Sequence, residues 1–163
     1  PARTAGAAGW QANAASLAAY DAAGLDYATD VRGGAPFFPA VGARRFKTLQ
    51  IPTTLPTLDE LMGRPEYPLA KLADMLLARP EPGKLDVFTI HAEIEGMSML
   101  DWFGQFIDRA KERGVAFVSL ADEAAALNAR RDAVPVASLD QGEVDGRSGT
   151  LAVQGARIEE RAA

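Results

Sequence analysis

The single histidine of this 163-residue chain, His91, ends an apolar run and is followed closely by Glu93 and Glu95. The run Leu-Asp-Val-Phe-Thr-Ile-His predicts a strand over 85–91 with the histidine as its last residue. Catalytic groups of parallel α/β proteins cluster at the carboxyl ends of strands. His91 is therefore a candidate for proton transfer near neutral pH. A strand-end histidine bonded to a neighbouring loop is an interpretation of equal weight.

Asp30 ends a second predicted strand, at about 26–30. A carboxylate bonded to one imidazole nitrogen fixes the tautomer of the ring and favours its protonated form, which suits a general acid. The alternative, which the residues alone favour, is an aspartate that initiates a turn before Val-Arg-Gly-Gly. Glu93 and Glu95 are candidate partners or ligands in the same site, although solvated loop carboxylates are the commoner case.

Cysteine is absent, which excludes disulfides, thiolate metal sites and a cysteine nucleophile. Neither His-x-His nor His-x-x-x-His occurs, so no metal-binding motif is found. Residues 31–48 are rich in glycine, proline and arginine and predict a long loop. Its cations, Arg32, Arg44, Arg45 and Lys47, are candidates for binding a phosphate through charge-assisted bonds, or are ordinary surface charges.

The composition, 48% hydrophobic and 24% charged, fits a globular protein. The net charge of −5 argues against a nucleic-acid partner bound through bulk positive charge. No apolar stretch reaches the roughly 20 residues of a membrane span. The segment Gly-Met-Ser-Met-Leu-Asp-Trp-Phe-Gly-Gln-Phe has helical spacing that predicts core packing, with peripheral membrane contact as the alternative.

The elements that must position these residues alternate between helices and short apolar strands. Helices are predicted from Asn13 to about Ala23, from Thr57 to about Met62, over 67–78, from Ser98 to Gly114, and from Ser119 to about Arg130. Three strands, at about 26–30, 85–91 and 115–118, each follow a helix, which indicates parallel βαβ construction. The segment Leu-Gln-Ile-Pro-Thr-Thr-Leu predicts an edge strand or irregular chain.

The tail predicts a β-hairpin that turns near Asp145 and Gly146, followed by a frayed end. We therefore expect an α/β domain over 1–133 and a hairpin with its tail over 134–163. A closed eight-stranded α/β barrel takes about 250 residues. The chain is accordingly expected to be a small open α/β domain or part of a barrel.

Several motifs together resemble one family. They are Tyr-x-x-Asp-x-Arg-Gly from Tyr27, Gln-Ile-Pro-x-Thr-Leu-Pro-Thr from Gln50, and Thr-Ile-His-Ala-Glu-x-Glu-Gly from Thr89. Their order and spacing resemble the bacterial deformylases of undecaprenyl-phosphate-linked 4-deoxy-4-formamido-L-arabinose, which are polysaccharide deacetylases of carbohydrate esterase family 4. The resemblance covers nearly the whole chain.

The resemblance implies a distorted (β/α) barrel that hydrolyses an N-formyl amide with a divalent metal, in the pathway that modifies lipid A and confers resistance to polymyxin. It implies that His91 is the general acid and Asp30 its orienting aspartate. Substrate contacts are implied at Trp10, Gln11, Arg32 and Glu93. The implied location is peripheral on the bacterial inner membrane.

Two departures from the family are visible. The early motifs that supply the catalytic base and the metal ligands are absent, so the resemblance implies a C-terminal half that needs the missing N-terminal half and is inactive alone. Gln11 stands where the family often has arginine, which removes a charge from beside the base. The alternatives are a non-catalytic relative that binds carbohydrate or lipid phosphate, and a deacetylase for another N-acyl sugar.

Overall fold

A computed structural model describes residues 1–79, 81 and 83–159 of the chain. The chain divides into two compact units. The first unit comprises Pro1–Thr54, Val118–Val144 and Ser148–Ala163, and the second comprises Leu55–Phe117 and Asp145–Arg147.

Among the described residues, a strand and a helix are followed by four strands, then by four α-helices, and then by two strands. The strands are β1 (Thr4–Ala5), β2 (Tyr27–Ala28), β3 (Phe38–Val41), β4 (Arg44–Arg45), β5 (Leu49–Gln50), β6 (Val136–Gly142) and β7 (Leu151–Arg157). The α-helices are α1 (Ala14–Ala23), α2 (Leu58–Leu61), α3 (Leu69–Leu77), α4 (Leu100–Glu112) and α5 (Leu120–Ala129). Shorter turns are Ala8–Trp10 and Arg131–Ala133, of the 3₁₀ type, and Ile94–Ser98, of the π type.

The first unit contains a parallel sheet in the order β1-β2-β5, with α1 as the crossover between β1 and β2. The side chain of Asn13 caps α1 by accepting from the backbone of Ala15 and Ser16, and Gly24 ends the helix at φ 65°. The predicted helix is thus confirmed, as is one parallel βαβ unit. The strand predicted at about 26–30 is present but shorter, and β5 is an edge strand, as predicted.

A second sheet of the first unit has the order β4-β3-β6-β7. β3 and β4 form an antiparallel pair within residues 31–48, so the prediction of one long loop there was wrong over 38–45. The strands were missed because they are short and lie in a segment rich in glycine and proline, which predicts a loop. Gly42, at φ 58°, permits the tight turn between them. β3 also pairs in parallel with β6.

The C-terminal hairpin is confirmed, because β6 and β7 pair antiparallel from Ala137–Arg157 to Gly142–Leu151. The helix predicted after Ser119 is α5, and Ser119 caps it by accepting from Ala121. The domain boundary at 133/134 stays a prediction. The frayed tail was predicted partly on residues 160–163, which lie outside the described residues.

Each unit has its own hydrophobic core. In the first unit the clustered core side chains come from α1, from β6 and β7, and from the segments between elements: Ala12, Leu17, Val31, Phe37, Phe46, Ala137, Leu139 and Ala152. In the second unit they come from α2, α3 and α4 and the residue before α4: Leu58, Leu61, Leu72, Ala73, Leu76, Leu77, Met99, Phe106 and Ala110. The Met- and Phe-rich segment predicted to be core accordingly supplies Met99 and Phe106, as its spacing indicates.

Two predicted strands are absent. Residues 85–91 and 115–118 are irregular, and Phe117 and Val118 are 58% and 52% exposed rather than buried. Local apolar, β-branched sequence favours a strand, but a strand also requires a paired neighbour. His91 consequently ends no strand; it precedes the π-helical turn Ile94–Ser98, and the helix predicted from Ser98 begins at Leu100.

The fold class is mixed α/β, as predicted, with short helices and two sheets in the described residues. The distorted barrel stays a prediction. Within these residues, no helix combines the length and apolar character needed to cross a membrane.

Candidate functional site

Polar side chains gather beyond the carboxyl ends of the parallel strands in the first unit. Asp30 follows β2, and its Oδ1 accepts a short hydrogen bond from the backbone of Ala7, which follows β1. The backbone of Asp30 donates to Oε1 of Gln50, at the end of β5, over 3.3 Å. Both side chains are fully buried. Asp30 Oδ2 and Gln50 Nε2 have no hydrogen-bond partner, which is uncommon for buried polar atoms and typical of functional sites.

Trp10 and Arg32 contact each other in the same unit. The guanidinium of Arg32 lies 4.9 Å from the centre of the Trp10 ring, and the indole Nε1 donates to Thr53 Oγ1 over 3.0 Å. Trp10 has a φ of 54°, a left-handed conformation that tryptophan rarely adopts. Such strain persists only where surrounding contacts impose it, and it is frequent at functional sites.

Gln11, by contrast, is exposed and bonds to backbone. Its amide donates to the carbonyl of Thr150 over 3.0 Å and to that of Gly9 over 3.3 Å. These bonds tie the turn that carries Trp10 to the start of β7. The substrate contact predicted for Gln11 stays a prediction.

Tyr20 is a neighbour of Asp30 that the sequence did not indicate. Burial raises the pKa of the Tyr20 hydroxyl, and the Asp30 carboxylate raises it further because a second negative charge beside it is unfavourable. Tyr20 therefore stays protonated and can donate a hydrogen bond toward the carboxylate.

In the second unit, the backbone around His91 is fixed by Glu95. The amide of His91 donates to Glu95 Oε2 over 2.7 Å, and its carbonyl accepts from the amides of Ile94 and Glu95 over 3.0 Å each. Glu95 is fully buried, and its Oε1 has no hydrogen-bond partner. Glu93, which the sequence could not distinguish from Glu95, is exposed.

The imidazole of His91 is oriented with one nitrogen inward. Nδ1 is buried without a hydrogen-bond partner, yet the side chain as a whole is 37% exposed. Nδ1 therefore contributes nothing to that exposure, and Nε2 is not among the buried polar atoms that lack a partner. Oδ1 of Asp59 lies 3.8 Å from Nδ1, beyond hydrogen-bonding distance but close for two groups that can carry opposite charge.

Asp59 is itself part of an ionic cluster. Arg147 donates to Asp59 Oδ2 over 2.8 Å and to Glu60 Oε1 over 2.9 Å. The hydroxyl of Thr57 forms a short bond to Asp59 Oδ1, and the backbone of Thr57 donates to Glu60 Oε2 over 3.1 Å. This cluster of Thr57, Asp59, Glu60 and Arg147 is named the Arg147 cluster below.

The predicted site residues thus fall into two groups. Trp10, Gln11, Asp30 and Arg32 belong to the first unit, and His91 and Glu93 belong to the second. The pairing of Asp30 with His91 stays a prediction. Over the described parts of the chain, no group of three or more His, Asp or Glu side chains is placed to hold a metal ion.

Sequence reasoning missed the Arg147 cluster and Gln50. Thr57 and Glu60 were recognised only as a helix cap, which is a local role that Glu60 does fill. Arg147 lies 87 residues further along the chain from Glu60, so no local pattern connects them. A partial signal was present, since Gln50 and Thr57 begin and end the Gln-Ile-Pro-x-Thr-Leu-Pro-Thr motif of the resemblance, just before Asp59 and Glu60.

The architecture defines a mixed α/β protein with polar groups at the carboxyl edge of a parallel sheet, where α/β enzymes bind their ligands. No protein-family model matches the chain. Over 151 residues, 93% of its length, the chain is 34% identical to the "Probable 4-deoxy-4-formamido-L-arabinose-phosphoundecaprenol deformylase ArnD" of Shewanella sediminis (strain HAW-EB3). It is 32% identical over 131 residues, 80% of its length, to the protein of the same name from Wigglesworthia glossinidia brevipalpis.

These comparisons confirm the resemblance that the motifs indicate, and the chain is related to this deformylase family over most of its length. It spans about half the length of the curated relatives it matches, 47% and 44% respectively.

Proposed function

We propose that this chain is part of a sugar-amide hydrolase that removes the formyl group from undecaprenyl-phosphate-linked 4-deoxy-4-formamido-L-arabinose. The similarity to two proteins named as deformylases of that substrate supports the reaction class. The product, an amino sugar on a lipid carrier, would serve lipid A modification and resistance to cationic antibiotics, as the resemblance implies.

The reaction requires a proton at the departing nitrogen. Water adds its hydroxyl to the formyl carbon, the carbon–nitrogen bond breaks, formate leaves, and the sugar amine takes up a proton. In our proposal the exposed edge of His91 donates that proton. The orientation of His91 carries the proposal, because one ring nitrogen is buried, the opposite edge is exposed, and Glu95 fixes the backbone.

The first unit is proposed to bind the substrate. Arg32 offers a cation that suits the phosphate between sugar and lipid, and Trp10 packs against its guanidinium; both side chains are buried, so Trp10 is proposed to position Arg32 for that contact. The resemblance gives Asp30 the role of orienting carboxylate, and it gives Gln11, in this unit, and Glu93, in the second unit, as further substrate contacts. The unsatisfied oxygen of Asp30 fits a group that gains a partner on binding.

By resemblance, we also propose that the chain is part of a distorted (β/α) barrel, that an N-terminal half completes this barrel, and that the complete enzyme binds a metal. A divalent cation is expected by resemblance, but the described residues provide no group that fits one, so no chemical step is assigned to it. Because the chain covers under half of each relative, we expect the isolated chain to release no formate.

We further propose a peripheral location on the bacterial inner membrane, since the proposed substrate is anchored there. Exposed apolar side chains close to His91 in sequence, Ile90, Met97 and Leu100, support contact with lipid. Flotation with anionic lipid vesicles tests this; a triple substitution by serine is expected to abolish binding, and a chain that never floats contradicts the location.

Formate release tests the catalytic proposal. The chain is assayed alone, and then joined to the part of the Shewanella sediminis relative that its match does not cover, with divalent metal added. The fusion is expected to turn over the formamido-arabinose lipid, and His91→Gln to reduce turnover by about 10²–10⁴-fold, the contribution of a general acid. The intact relative is the positive control.

Each outcome has a distinct meaning. Turnover that His91→Gln leaves unchanged would assign the chain to lipid-sugar binding rather than chemistry. Release of acetate but not formate from matched N-acyl sugars would assign it to a deacetylase. Turnover by the isolated chain would contradict the need for another half.

A further inference from the structure

We infer that Asp59, held by the Arg147 cluster, is a positioning residue that fixes the proton of His91 on Nδ1 and leaves Nε2 to exchange protons with a ligand. The inference deepens the proposed function and relies on it for the meaning of that proton exchange. The orientation of His91 itself can be tested without any activity.

The first observation is that Nδ1 of His91 lacks a partner. A buried polar nitrogen without a hydrogen bond is costly, and Nδ1 is such an atom. Oδ1 of Asp59 lies 3.8 Å away, so a shift of about 1 Å creates a hydrogen bond. Hydrogen bonds of this kind are often long in proteins without ligand and shorten when the substrate binds.

The second observation is that Asp59 is held from two sides. The Thr57 hydroxyl bonds to Oδ1, and Arg147 bonds to Oδ2 over 2.8 Å. Arg147 is anchored in turn by the buried Glu60, over 2.9 Å. The carboxylate is therefore held in position by a hydroxyl on one oxygen and a guanidinium on the other, as an orienting group must be.

The third observation is that His91 cannot easily turn away. Its amide donates to Glu95 Oε2, and its carbonyl accepts from the amides of Ile94 and Glu95 in the turn Ile94–Ser98. With the backbone fixed, His91 can change its orientation only by rotating the ring. A hydrogen bond from Nδ1–H to Asp59 would oppose that rotation and would keep the proton on Nδ1. The neutral ring then presents the lone pair of Nε2 at its exposed edge, and the protonated ring presents an N–H there.

The single histidine makes a direct test available. A chain labelled with ¹⁵N-histidine gives one imidazole, so long-range ¹H–¹⁵N correlation spectra assign its tautomer without overlap. At a pH where the ring is neutral, we expect the Nδ1–H tautomer to dominate in the unmodified chain. A dominant Nε2–H tautomer overturns the inference before any variant is made.

Substitutions then assign the partner. Asp59→Ala is expected to shift the population to the Nε2–H form, Asp59→Glu to restore part of the Nδ1–H form, and Arg147→Ala to give an intermediate. Asp30→Asn tests the alternative partner implied by the resemblance, and Asp108→Asn is the matched control on an exposed carboxylate of the second unit. No shift in Asp59→Ala, or an equal shift in Asp30→Asn, overturns the inference.

The His91 tautomer can be measured separately from folding and from the proposed reaction. Backbone amide spectra of each variant verify that the fold is retained, and if Asp59→Ala does not fold, the wild-type tautomer and Asp59→Glu still decide. A fixed Nδ1–H tautomer in a chain whose fusion releases no formate would uphold the positioning role and contradict the deformylase. In an active fusion, Asp59→Ala is expected to lower kcat at least tenfold with KM within about twofold.

Discussion

Arg147 donates through Nε to Oε1 of Glu60 over 2.9 Å, and the side chain of Glu60 is only 1% exposed. The contact holds the tip of the C-terminal hairpin, residues 145–147, against α2 within the second unit. A carboxylate buried in this way must be paired, because an ionised group inside a protein loses the solvation of water. The pair therefore supports both the fold of the second unit and the position of Asp59.

Arg147→Ala is expected to lower the free energy of unfolding by about 3 kcal/mol, since it leaves Glu60 buried without this cation. Arg64→Ala is the matched control. Arg64 also connects α2 to the hairpin tip, but its partner Asp145 is 73% exposed, and surface pairs stabilise little. Urea unfolding measures both, and equal losses would contradict the assignment of the stabilising contact to the buried pair.

Gly146→Ala is expected to separate the hairpin tip from α2. A Cβ at Gly146 would lie 2.5 Å from the carbonyl oxygen of Glu60. Cβ atoms in real structures essentially never come that close to another heavy atom, so the backbone would have to move. Gly149 has a similar positive φ, 74° against 85°, but open space around it. Gly149→Ala therefore shows the cost of the backbone conformation alone, about 1 kcal/mol.

The two glycine variants are compared by unfolding and by the His91 tautomer. Gly146→Ala is expected to be the less stable of the two and to weaken the Nδ1–H tautomer, because Arg147 moves with residue 146. The opposite order of stability would show that the close approach to Glu60 is not what requires glycine here.

Local signals predicted a large part of the fold. Helix caps and turns are encoded within a few residues, and those that were predicted are present. They are the cap at Asn13, the helix end at Gly24, the capping pair Thr57 and Glu60, and the turn at Gly146. The prediction of strands at 85–91 and 115–118 was wrong because strand pairing is not a local property of the sequence. Apolar periodicity describes what a segment prefers, while a ladder depends on a neighbour elsewhere in the chain.

Candidate site residues could be selected from the sequence, but their contacts could not. Residue type and position selected His91, Asp30, Arg32 and Glu95, and the resemblance implied Trp10. The structure adds the contact between Trp10 and Arg32 and the hydrogen bond from the His91 backbone to Glu95. Asp59 was missed because its neighbours in space, His91 and Arg147, are distant in sequence. No spacing rule reports such a contact.

Leu72→Ala is expected to destabilise the second unit by about 2–5 kcal/mol, as removal of a buried leucine side chain does. Leu72, on α3, is fully buried in the core that α3 forms with α2 and α4. Leu69, on the same helix, is 51% exposed. Leu69→Ala is thus the matched control and is expected to change stability little.

The measurement can be confined to the second unit. The chain has two tryptophans, Trp10 in the first unit and Trp102 in the second, where Trp102 stacks on Phe106 of the core. In a Trp10→Phe background, fluorescence follows Trp102 during urea unfolding. A midpoint that Leu72→Ala leaves unchanged would contradict the core assigned to α3 and α4.

Asp74, on α3, gives the second unit a defined dependence on acid. It accepts a short bond from Arg109 and a bond of 2.6 Å from Arg113, near the end of α4. The hydrogen bond from Arg109 is the main reason that the pKa of Asp74 lies below the usual value, with a smaller contribution from Arg113. Because the folded state holds the proton less tightly than the unfolded state, the resulting stabilisation is complete above the unfolded pKa and is lost as the pH falls through the folded pKa.

Asp74→Asn is therefore expected to be less stable than the unmodified chain at neutral pH, and the difference is expected to shrink below about pH 4, where the carboxylate takes up a proton. Urea unfolding at steps from neutral pH to about pH 2.5 measures the difference. Asp108→Asn, on the exposed face of α4, controls for the loss of one negative charge. A difference between Asp74→Asn and the unmodified chain that stays constant over this range would show that the two arginines do not stabilise the fold through the ionised form of Asp74.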